Sequence, residues 1–158
     1  LLSLDGDRKA KPFLATDANE RWPKFSPDGH WLAYVSNETG GSEVYVAPIG
    51  SAGARHRVSS GGGNFPAWAP NGRELFFVKQ DKLASVLLDA QANPIGRDRV
   101  ILDAPKLDDL AFQADSPAFD VMPDGDHFVM EVGPRDSPPT HYKVVVNWFE
   151  ELKRKAPR

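Results

Sequence analysis

The stretch Trp22-Pro23-Lys24-Phe25-Ser26-Pro27-Asp28-Gly29 decides the fold, because related stretches follow it at residues 65–72 and 118–125. Each copy closes on Pro-Asp-Gly or Pro-Asn-Gly and then enters an apolar run. The closing glycines, at positions 29, 72 and 125, are 43 and 53 residues apart. A spacing near 43 matches the roughly 40–45 residues of a four-stranded propeller blade. Helical repeats of similar length are disfavoured, because the segments between the glycines lack helical spacing.

Nine residues of the closing turns are the structural anchors of this repeat. Proline fixes φ near about −65°, aspartate or asparagine caps the turn, and glycine accepts the positive φ that reverses the chain. The anchors are Pro27, Asp28, Gly29, Pro70, Asn71, Gly72, Pro123, Asp124 and Gly125. We expect the three turns to lie on one side of the molecule.

The runs that follow the turns are rich in β-branched and aromatic residues, and they are nearly continuous rather than alternating. Four of them form two predicted hairpins, at residues 31–35 with 43–46 and at residues 73–78 with 83–88. A sheet that is covered on both faces has such runs, since neither face can be polar. Blades packed face to face meet that condition, and we expect Phe25, Trp68 and Phe119 in the core between them.

The sequence therefore predicts an all-β chain, a partial β-propeller of about three four-stranded antiparallel blades with a short C-terminal helix. The expected units are the end of a blade at 1–21, blades at 22–64 and 65–117, an incomplete blade at 118–147, and the helix at 148–156. In the first unit, residues 1–4 and 12–15 are predicted to be the last two strands of a blade. Asn147 as N-cap, with Glu150 three residues later and basic residues in the last turn, predicts the helix.

The composition restricts the partners. The 158 residues carry 19 Lys and Arg against 22 Asp and Glu, a net charge of −3, so no global basic field attracts nucleic acid. No apolar run approaches the roughly 20 residues of a membrane span. The chain has no cysteine, which excludes disulfides and thiolate chemistry. We therefore expect neither nucleic-acid binding nor direct membrane insertion.

No catalytic or metal-binding pattern is visible in the sequence. His30, His56, His127 and His141 lack the spacings of metal sites. We interpret them as exposed turn histidines, with His30 and His127 at equivalent repeat positions. A Gly-x-Ser-x-Gly nucleophile elbow is absent, and residues 61–64 lack the Lys-Ser/Thr and the helix of a phosphate-binding loop, so they are expected to form a flexible crossover between blades. The prediction is no catalytic residue, no metal and no cofactor.

One face of the propeller is predicted to be acidic. If each blade runs up and down through four strands, the crossovers between blades share one face with the turns between second and third strands. These segments are residues 16–21, 37–42, 61–64, 80–82, 104–117 and 133–140. They carry four basic residues (Arg21, Lys82, Lys106, Arg135) and eight acidic ones: Asp17, Glu20, Glu38, Asp81, Asp108, Asp109, Asp115 and Asp136. Because binding residues tend to lie on loops held by a rigid scaffold, these eight are the candidate binding residues. The alternative is that they are ordinary polar loop residues.

Pro-Lys-Phe-Ser-Pro-Asp-Gly at residues 23–29, followed by Trp-Leu-Ala-Tyr-Val and Glu-Val-Tyr-Val, resembles the WD40-like (PD40) repeat of TolB-type β-propellers. The resemblance covers residues 22–46 and 65–88, and more weakly 118–132, where Val121-Met122 replaces the usual aromatic-Ser pair. The stretch at 145–153 resembles the end of bacterial proteins that attach such propellers to a serine/threonine kinase or a DNA-binding regulator.

The resemblance implies a non-catalytic module for protein or ligand recognition, in a larger bacterial sensor or scaffold protein, and favours an extracytoplasmic (periplasmic) location. The alternative is the gating propeller of a prolyl-oligopeptidase-like hydrolase. The family implies six or more blades, so the chain is expected to be the C-terminal part of a longer propeller. A half-propeller that forms a homodimer through its open blade edges is the other interpretation.

Overall fold

A computed structural model describes residue 1 and residues 9–50, 55–80, 82–103, 119–132 and 141–145. None of these residues is helical, and the predicted helix at 148–156 lies outside them. The described strands are β1 (Glu20–Phe25), β2 (Trp31–Ser36), β3 (Glu43–Pro48), β4 (His56–Arg57), β5 (Asn64–Trp68), β6 (Glu74–Lys79), β7 (Lys82–Leu88), β8 (Pro94–Asp103), β9 (Phe119–Val121), β10 (Phe128–Val132) and β11 (His141–Val145).

The strands form three antiparallel sheets, in each of which neighbours in sequence are neighbours in space. The first sheet is β1-β2-β3-β4, the second is β5-β6-β7-β8, and the third pairs β10 with β9 and β11. The first strands β1 and β5 contact each other, so they lie at the inner edge where the sheets converge. This architecture confirms the predicted all-β partial propeller.

Alternate residues of the central strands face two different apolar clusters, which explains the continuous apolar runs of the sequence. In β6, Leu75 and Phe77 pack against the first sheet, whereas Phe76 and Val78 pack against the third. We call the face toward the preceding sheet the leading face, and the opposite one the trailing face. In the described part of the chain, both contacts between sheets join a trailing face to a leading face.

The two interfaces between sheets differ in what they pack. At the first, the small residues Ala33 and Val35 of β2 cluster with Trp68 of β5, whose Nε1 donates a hydrogen bond of 3.1 Å to the Lys24 backbone oxygen. At the second, the rings of Phe76 and Phe128 meet edge to face, with centroids 4.9 Å apart. Burying an apolar side chain of this size contributes roughly 1.5–3 kcal/mol, so these interfaces form the core.

The three Pro-Asp/Asn-Gly turns lie on one side of the molecule, as expected, and the second and third turns each lie against the turn one repeat earlier. Gly72 and Gly125 have φ values of +67° and +75°, which glycine adopts without strain. A Cβ on Gly72 would lie 3.9 Å from Pro27 Cδ, and one on Gly125 would lie 3.5 Å from Pro70 Cδ. We call this side the turn end and the opposite side the loop end.

The inner strands β1 and β5 each contain an irregularity at the same repeat position. Trp22 and Phe65 have φ values of 52° and 53°, a left-handed conformation that costs a non-glycine residue about 1–3 kcal/mol. The pairing register shifts at both places. The two rings contact each other, with centroids 4.2 Å apart, so the strained residues stabilise each other across the first interface.

Phe25 does not occupy the core between sheets, contrary to the expectation from the sequence. Trp68 and Phe119 are buried, whereas Phe25 is 57% exposed. Phe25 lies one repeat before Trp68 at the equivalent position, and it therefore belongs to the leading face of the first sheet. No sheet in the described part of the chain packs against that face.

The segment ahead of β1 also differs from its prediction, because residues 12–15 do not form a strand. Pro12 has no N–H to donate to a neighbouring strand. Leu1 and Lys11 instead exchange two backbone hydrogen bonds, of 2.6 and 2.8 Å. Phe13 and Leu14 then pack against a cluster on the leading face of the first sheet, formed by Tyr34, Tyr45 and Ala47.

Candidate functional site

The loop end brings together three of the six segments that the sequence assigns to the acidic face. The backbone N–H of Asn19 donates to Asn37 Oδ1 at 2.8 Å, which joins residues 16–21 to residues 37–42. The Gly63 N–H donates to the Ser42 carbonyl at 2.9 Å, which joins the crossover at 61–64 to the same loop. The segments at 104–117 and 133–140 lie outside the described residues.

Glu43, at the start of β3, holds the crossover between the first and second sheets in place. The residue is 8% exposed, and its carboxylate accepts hydrogen bonds from the backbone N–H groups of Gly61 (3.0 Å) and Gly62 (3.2 Å) and from the Ser59 hydroxyl. Ser59 Oγ also accepts the Val44 N–H at 2.8 Å. A buried carboxylate with three donors is satisfied. The crossover, which the sequence predicts to be flexible, is therefore tied to β3.

Three of the eight candidate acidic residues lie in the described part of the chain, and two of these have partners within it. Asp17 is exposed. Glu20 is the first residue of β1 rather than a loop residue, and it accepts a hydrogen bond from the Thr16 hydroxyl. Glu38 forms an ion pair of 2.7 Å with Arg55, a residue outside the six predicted loop segments. The others, Asp81, Asp108, Asp109, Asp115 and Asp136, lie outside the described residues.

The turn end also holds ionised carboxylates, which the sequence identified as turn anchors only. Asp28 accepts hydrogen bonds from the Ser26 hydroxyl at 2.6 Å and from the His30 N–H at 3.0 Å, and these bonds, the serine first, lower its pKa to about 2. The Asp126 backbone N–H is the foremost cause that lowers the pKa of Asp124. Hydrogen bonds to the charged form favour ionisation of both groups.

Ser26, Asp28 and His30 are the residue types of a hydrolase triad, but their hydrogen bonds do not follow its order. The Ser26 hydroxyl donates to the Asp28 carboxylate, whose other oxygen lies 3.3 Å from His30 Nδ1. In a working triad the imidazole takes the proton of the hydroxyl, and the carboxylate orients the imidazole. The His30 side chain is also 79% exposed. The arrangement therefore stabilises a turn and does not activate a nucleophile.

The predicted equivalence of His30 and His127 is wrong by one position. The backbone hydrogen bond that closes each turn places His127 level with Trp31. The His127 side chain is only 17% exposed, and its Nδ1 lies 2.5 Å from Asp124 Oδ2, so it is not an exposed turn histidine. The remaining two lie in strands: His56 is half-buried in β4, and His141 begins β11.

In the described part of the chain, an open groove lies at the turn end between the second and third sheets, and another lies between the first and second. The groove between the second and third sheets has a volume of about 480 Å³, and its lining includes Phe76, Arg99 and Asp124. The groove between the first and second sheets, of about 340 Å³, is lined by both turns with Trp31 and Asp89. Because each groove recurs wherever two turns stack, we interpret both as products of blade packing.

Metal-binding clusters and membrane-spanning helices are both absent from the described residues. Among them, no group of three or more His, Asp or Glu side chains converges to hold a metal ion. The same part of the chain contains no helix that is long and apolar enough to cross a bilayer.

Similarity to known proteins is local in sequence, and no family model matches the chain. A stretch of 53 residues, 34% of the chain, is 47% identical to the Tol-Pal system protein TolB of Xylella fastidiosa (strain M12). A stretch of the same length is 49% identical to the Tol-Pal system protein TolB of Xanthomonas campestris pv. campestris (strain B100). Both matches support the resemblance to TolB-type propellers. The TolB-type stretch spans 10% of the length of each of these curated relatives.

Solved TolB structures are similar over more of the chain at lower identity. TolB from Acinetobacter baumannii aligns with 83% of this chain over 41% of its own, at 18% identity and a TM-score of 0.47. The putative TolB from Agrobacterium tumefaciens aligns with 51% of this chain over 32% of its own, at 22% identity and a TM-score of 0.40. The fold assignment rests on the three antiparallel sheets and their stacked turns.

Proposed function

We propose that this chain is a non-catalytic module that recognises a protein partner through its loop end, within a larger bacterial sensor or scaffold protein. The observation that carries the proposal is the set of hydrogen bonds that join residues 16–21, 37–42 and 61–64 into one platform. Loops held rigidly by a scaffold are the usual place for binding residues. An extracytoplasmic location belongs to the proposal, because the resemblance to TolB-type propellers favours it.

The chemistry of the described platform suits a partner with basic groups. Asp17 is exposed, whereas Glu20 and Glu43 are bound to neighbours within the chain. Among the described carboxylates of the platform, Asp17 is therefore the one that we expect to form an ion pair with a lysine or arginine of the partner. We include Asp81, Asp108, Asp109, Asp115 and Asp136 in the proposed face, since the sequence predicts that their segments lie on the same face.

A binding measurement with a purified Pal protein tests the proposal, because the curated relatives are named for the Tol-Pal system. Calorimetry with the Pal protein of Xanthomonas campestris should give saturable binding by the full chain. Asp17→Lys should weaken it roughly five-fold or more, which corresponds to about 1 kcal/mol. The matched control is Asp126→Lys, an equally charged change of an exposed residue at the turn end.

Three results would contradict the proposal, each in a different way. Absence of binding by the unaltered chain contradicts the choice of partner. If Asp126→Lys weakens binding and Asp17→Lys does not, the partner contacts the turn end instead of the loop end. Turnover of a peptide or ester substrate by the purified chain contradicts the non-catalytic role.

A second copy of the chain is the other partner that we propose. On the leading face of the first sheet, Phe13 and Leu14 pack against Tyr34 and Tyr45, whereas Phe25 is exposed. Exposed apolar surface favours association. No observation on the described residues favours the gating propeller of a hydrolase over a recognition module.

A further inference from the structure

We propose that Asn71, in the Pro-Asn-Gly turn of the second repeat, undergoes spontaneous deamidation, which converts its side-chain amide into a carboxylate. Asn71 is the one asparagine of the sequence that a glycine follows. The residue is exposed to water at the turn end. The site is independent of any partner at the loop end, because the reaction uses only this turn and water.

The reaction forms and breaks bonds within the turn and consumes water. The Gly72 backbone nitrogen loses its proton to water and attacks Cγ of Asn71, so that a new C–N bond closes a cyclic imide. The bond from Cγ to the side-chain nitrogen breaks, and that nitrogen takes up a proton and leaves as ammonia. Water that adds to the imide at Cγ breaks the new bond and gives aspartate, whereas water that adds at the main-chain carbonyl carbon gives isoaspartate. The sum is amide plus water to carboxylic acid plus ammonia, with no oxidant or reductant.

Two features of the turn favour the attack. Gly72 has no side chain, so nothing on that residue shields its nitrogen. The Arg73 backbone N–H donates a hydrogen bond of 2.8 Å to Oδ1 of Asn71. Negative charge develops on this oxygen as the nitrogen attacks, and a donor that already points at it stabilises that charge. The turn therefore activates the carbon that is attacked.

A third feature of the turn slows the reaction in the folded chain. The Gly72 N–H donates a hydrogen bond of 2.9 Å to the Ala69 carbonyl oxygen, so the attacking nitrogen is engaged until this bond opens. The net contribution of one such bond corresponds to roughly a five-fold change in an equilibrium. We therefore expect folding to slow the conversion about five-fold rather than to prevent it.

Aspartate fits the second turn, because the first and third turns already contain it. Asp28 and Asp124 each accept the backbone N–H two residues later at 3.0 Å, and Asn71 accepts that of Arg73 in the same way. A carboxylate at position 71 can accept the same bond. Isoaspartate lengthens the backbone by one carbon and does not preserve the turn. The folded chain should therefore tolerate the aspartate product.

Conversion changes the charge of both grooves at the turn end, because Asn71 lines each of them. Asp28 lines one of these grooves and Asp124 lines the other. Hydrogen bonds within their own turns lower the pKa values of both carboxyl groups. Deamidation therefore places a third carboxylate in the stack, between two others. Because like charges repel, we expect the aspartate form to be less stable than the asparagine form.

Mass spectrometry of proteolytic fragments, after incubation of the purified full chain in mildly alkaline buffer, tests the proposal. The fragment with Asn71 should gain the mass difference between an amide and a carboxyl group, about five-fold more slowly than in chain unfolded by urea. Asn37 is the control within the same sample, because it is also exposed but precedes glutamate. No conversion at Asn71 in the folded chain overturns the proposal. Equal conversion at the two asparagines overturns the role of this turn.

Asn71→Asp supplies the product directly and tests the effect of its charge. Its Tm near neutral pH should lie about 2 °C below that of the unaltered chain, and salt should reduce the difference because it screens the charges. Asn71→Ser is the matched control, since serine also accepts a turn hydrogen bond and carries no charge. Equal Tm values of the two variants at low and high salt overturn the predicted repulsion between the turns.

Discussion

The indole Nε1 of Trp68 donates a hydrogen bond of 3.1 Å to the backbone oxygen of Lys24, 44 positions earlier in the chain. The bond joins a side chain of the second sheet to the backbone of β1, the inner strand of the first. Contacts between the sheets are otherwise mainly apolar and without direction. This bond therefore fixes how the second sheet sits along the first.

Replacing Trp68 by phenylalanine removes this donor and keeps most of the buried ring. We expect Trp68→Phe to lower the free energy of unfolding by about 1 kcal/mol, the usual net value of one hydrogen bond. Urea unfolding measures this as a lower midpoint at an unchanged slope. Trp31→Phe is the control, because half-buried Trp31 packs on the same cluster without a comparable bond across the interface. Equal losses for the two variants would show that ring size, not the hydrogen bond, matters.

Gly63 is expected to tolerate no side chain. A Cβ there would lie 2.7 Å from Ser59 Oγ and 2.8 Å from Val44 Cγ2, so Gly63→Ala must displace the residues around the Glu43 carboxylate. Overpacking of this kind typically costs about 1–3 kcal/mol, and thermal unfolding should show it as a lower Tm. At Gly41 a Cβ meets nothing within 4 Å, and Gly41→Ala should change the unfolding free energy by less than about 0.5 kcal/mol. A Tm for Gly63→Ala equal to that of Gly41→Ala contradicts the packing described for the crossover.

The acidity of Asp28 depends on Ser26. The pKa of Asp28 lies at about 2 instead of 3.8, with the serine hydrogen bond as the foremost cause. Ser26→Ala should therefore raise this pKa toward 3.8, which an NMR titration of the side-chain carboxyl carbon detects. Ser60→Ala, a change of an exposed serine outside the turn, should leave the titration unchanged.

The sign of the accompanying stability effect follows from the lowered pKa. A carboxyl group that is more acidic in the folded state stabilises the fold above its unfolded pKa and loses that contribution as the pH falls through its folded value. For Asp28 the window runs from about pH 4 down to about pH 2. In Ser26→Ala the decline of unfolding free energy across this window should be shallower. A steeper decline contradicts the assigned cause.

The sequence predicts the blades because their signals are local. The turns at Gly29 and Gly72 are each determined by a few neighbouring residues, and the number of residues between them matches the length of chain in one four-stranded sheet. The exposure of Phe25 has no local signal, since burial at this position depends on packing against another sheet, and no sheet in the described part of the chain packs there. The same sequence motif is buried in one repeat and exposed in another.

The loop end was harder to predict because its contacts join residues far apart in sequence. Glu43 binds Gly61 and Gly62 across 18 and 19 positions, and nothing in the spacing alone indicates that the crossover returns over β3. Arg55 forms an ion pair with Glu38, although its segment is not one of the six that the sequence predicts at this face. Counting acidic residues on loops therefore overestimates the free negative charge in the described part of that face.

The unequal faces of the sheets bear on how the chain folds. The trailing face of the first sheet carries Ala33 and Val35, which leave room for Trp68, whereas the trailing face of the second carries Phe76, which meets Phe128 edge to face. If a sheet packed against the wrong neighbour, Phe76 would meet a ring as large as that of Trp68, or a gap would remain opposite Ala33. Repeat proteins are prone to misassembly between similar units. We expect these differences in side-chain size to destabilise incorrect pairings of sheets, so that sheets with similar sequences still assemble in one order.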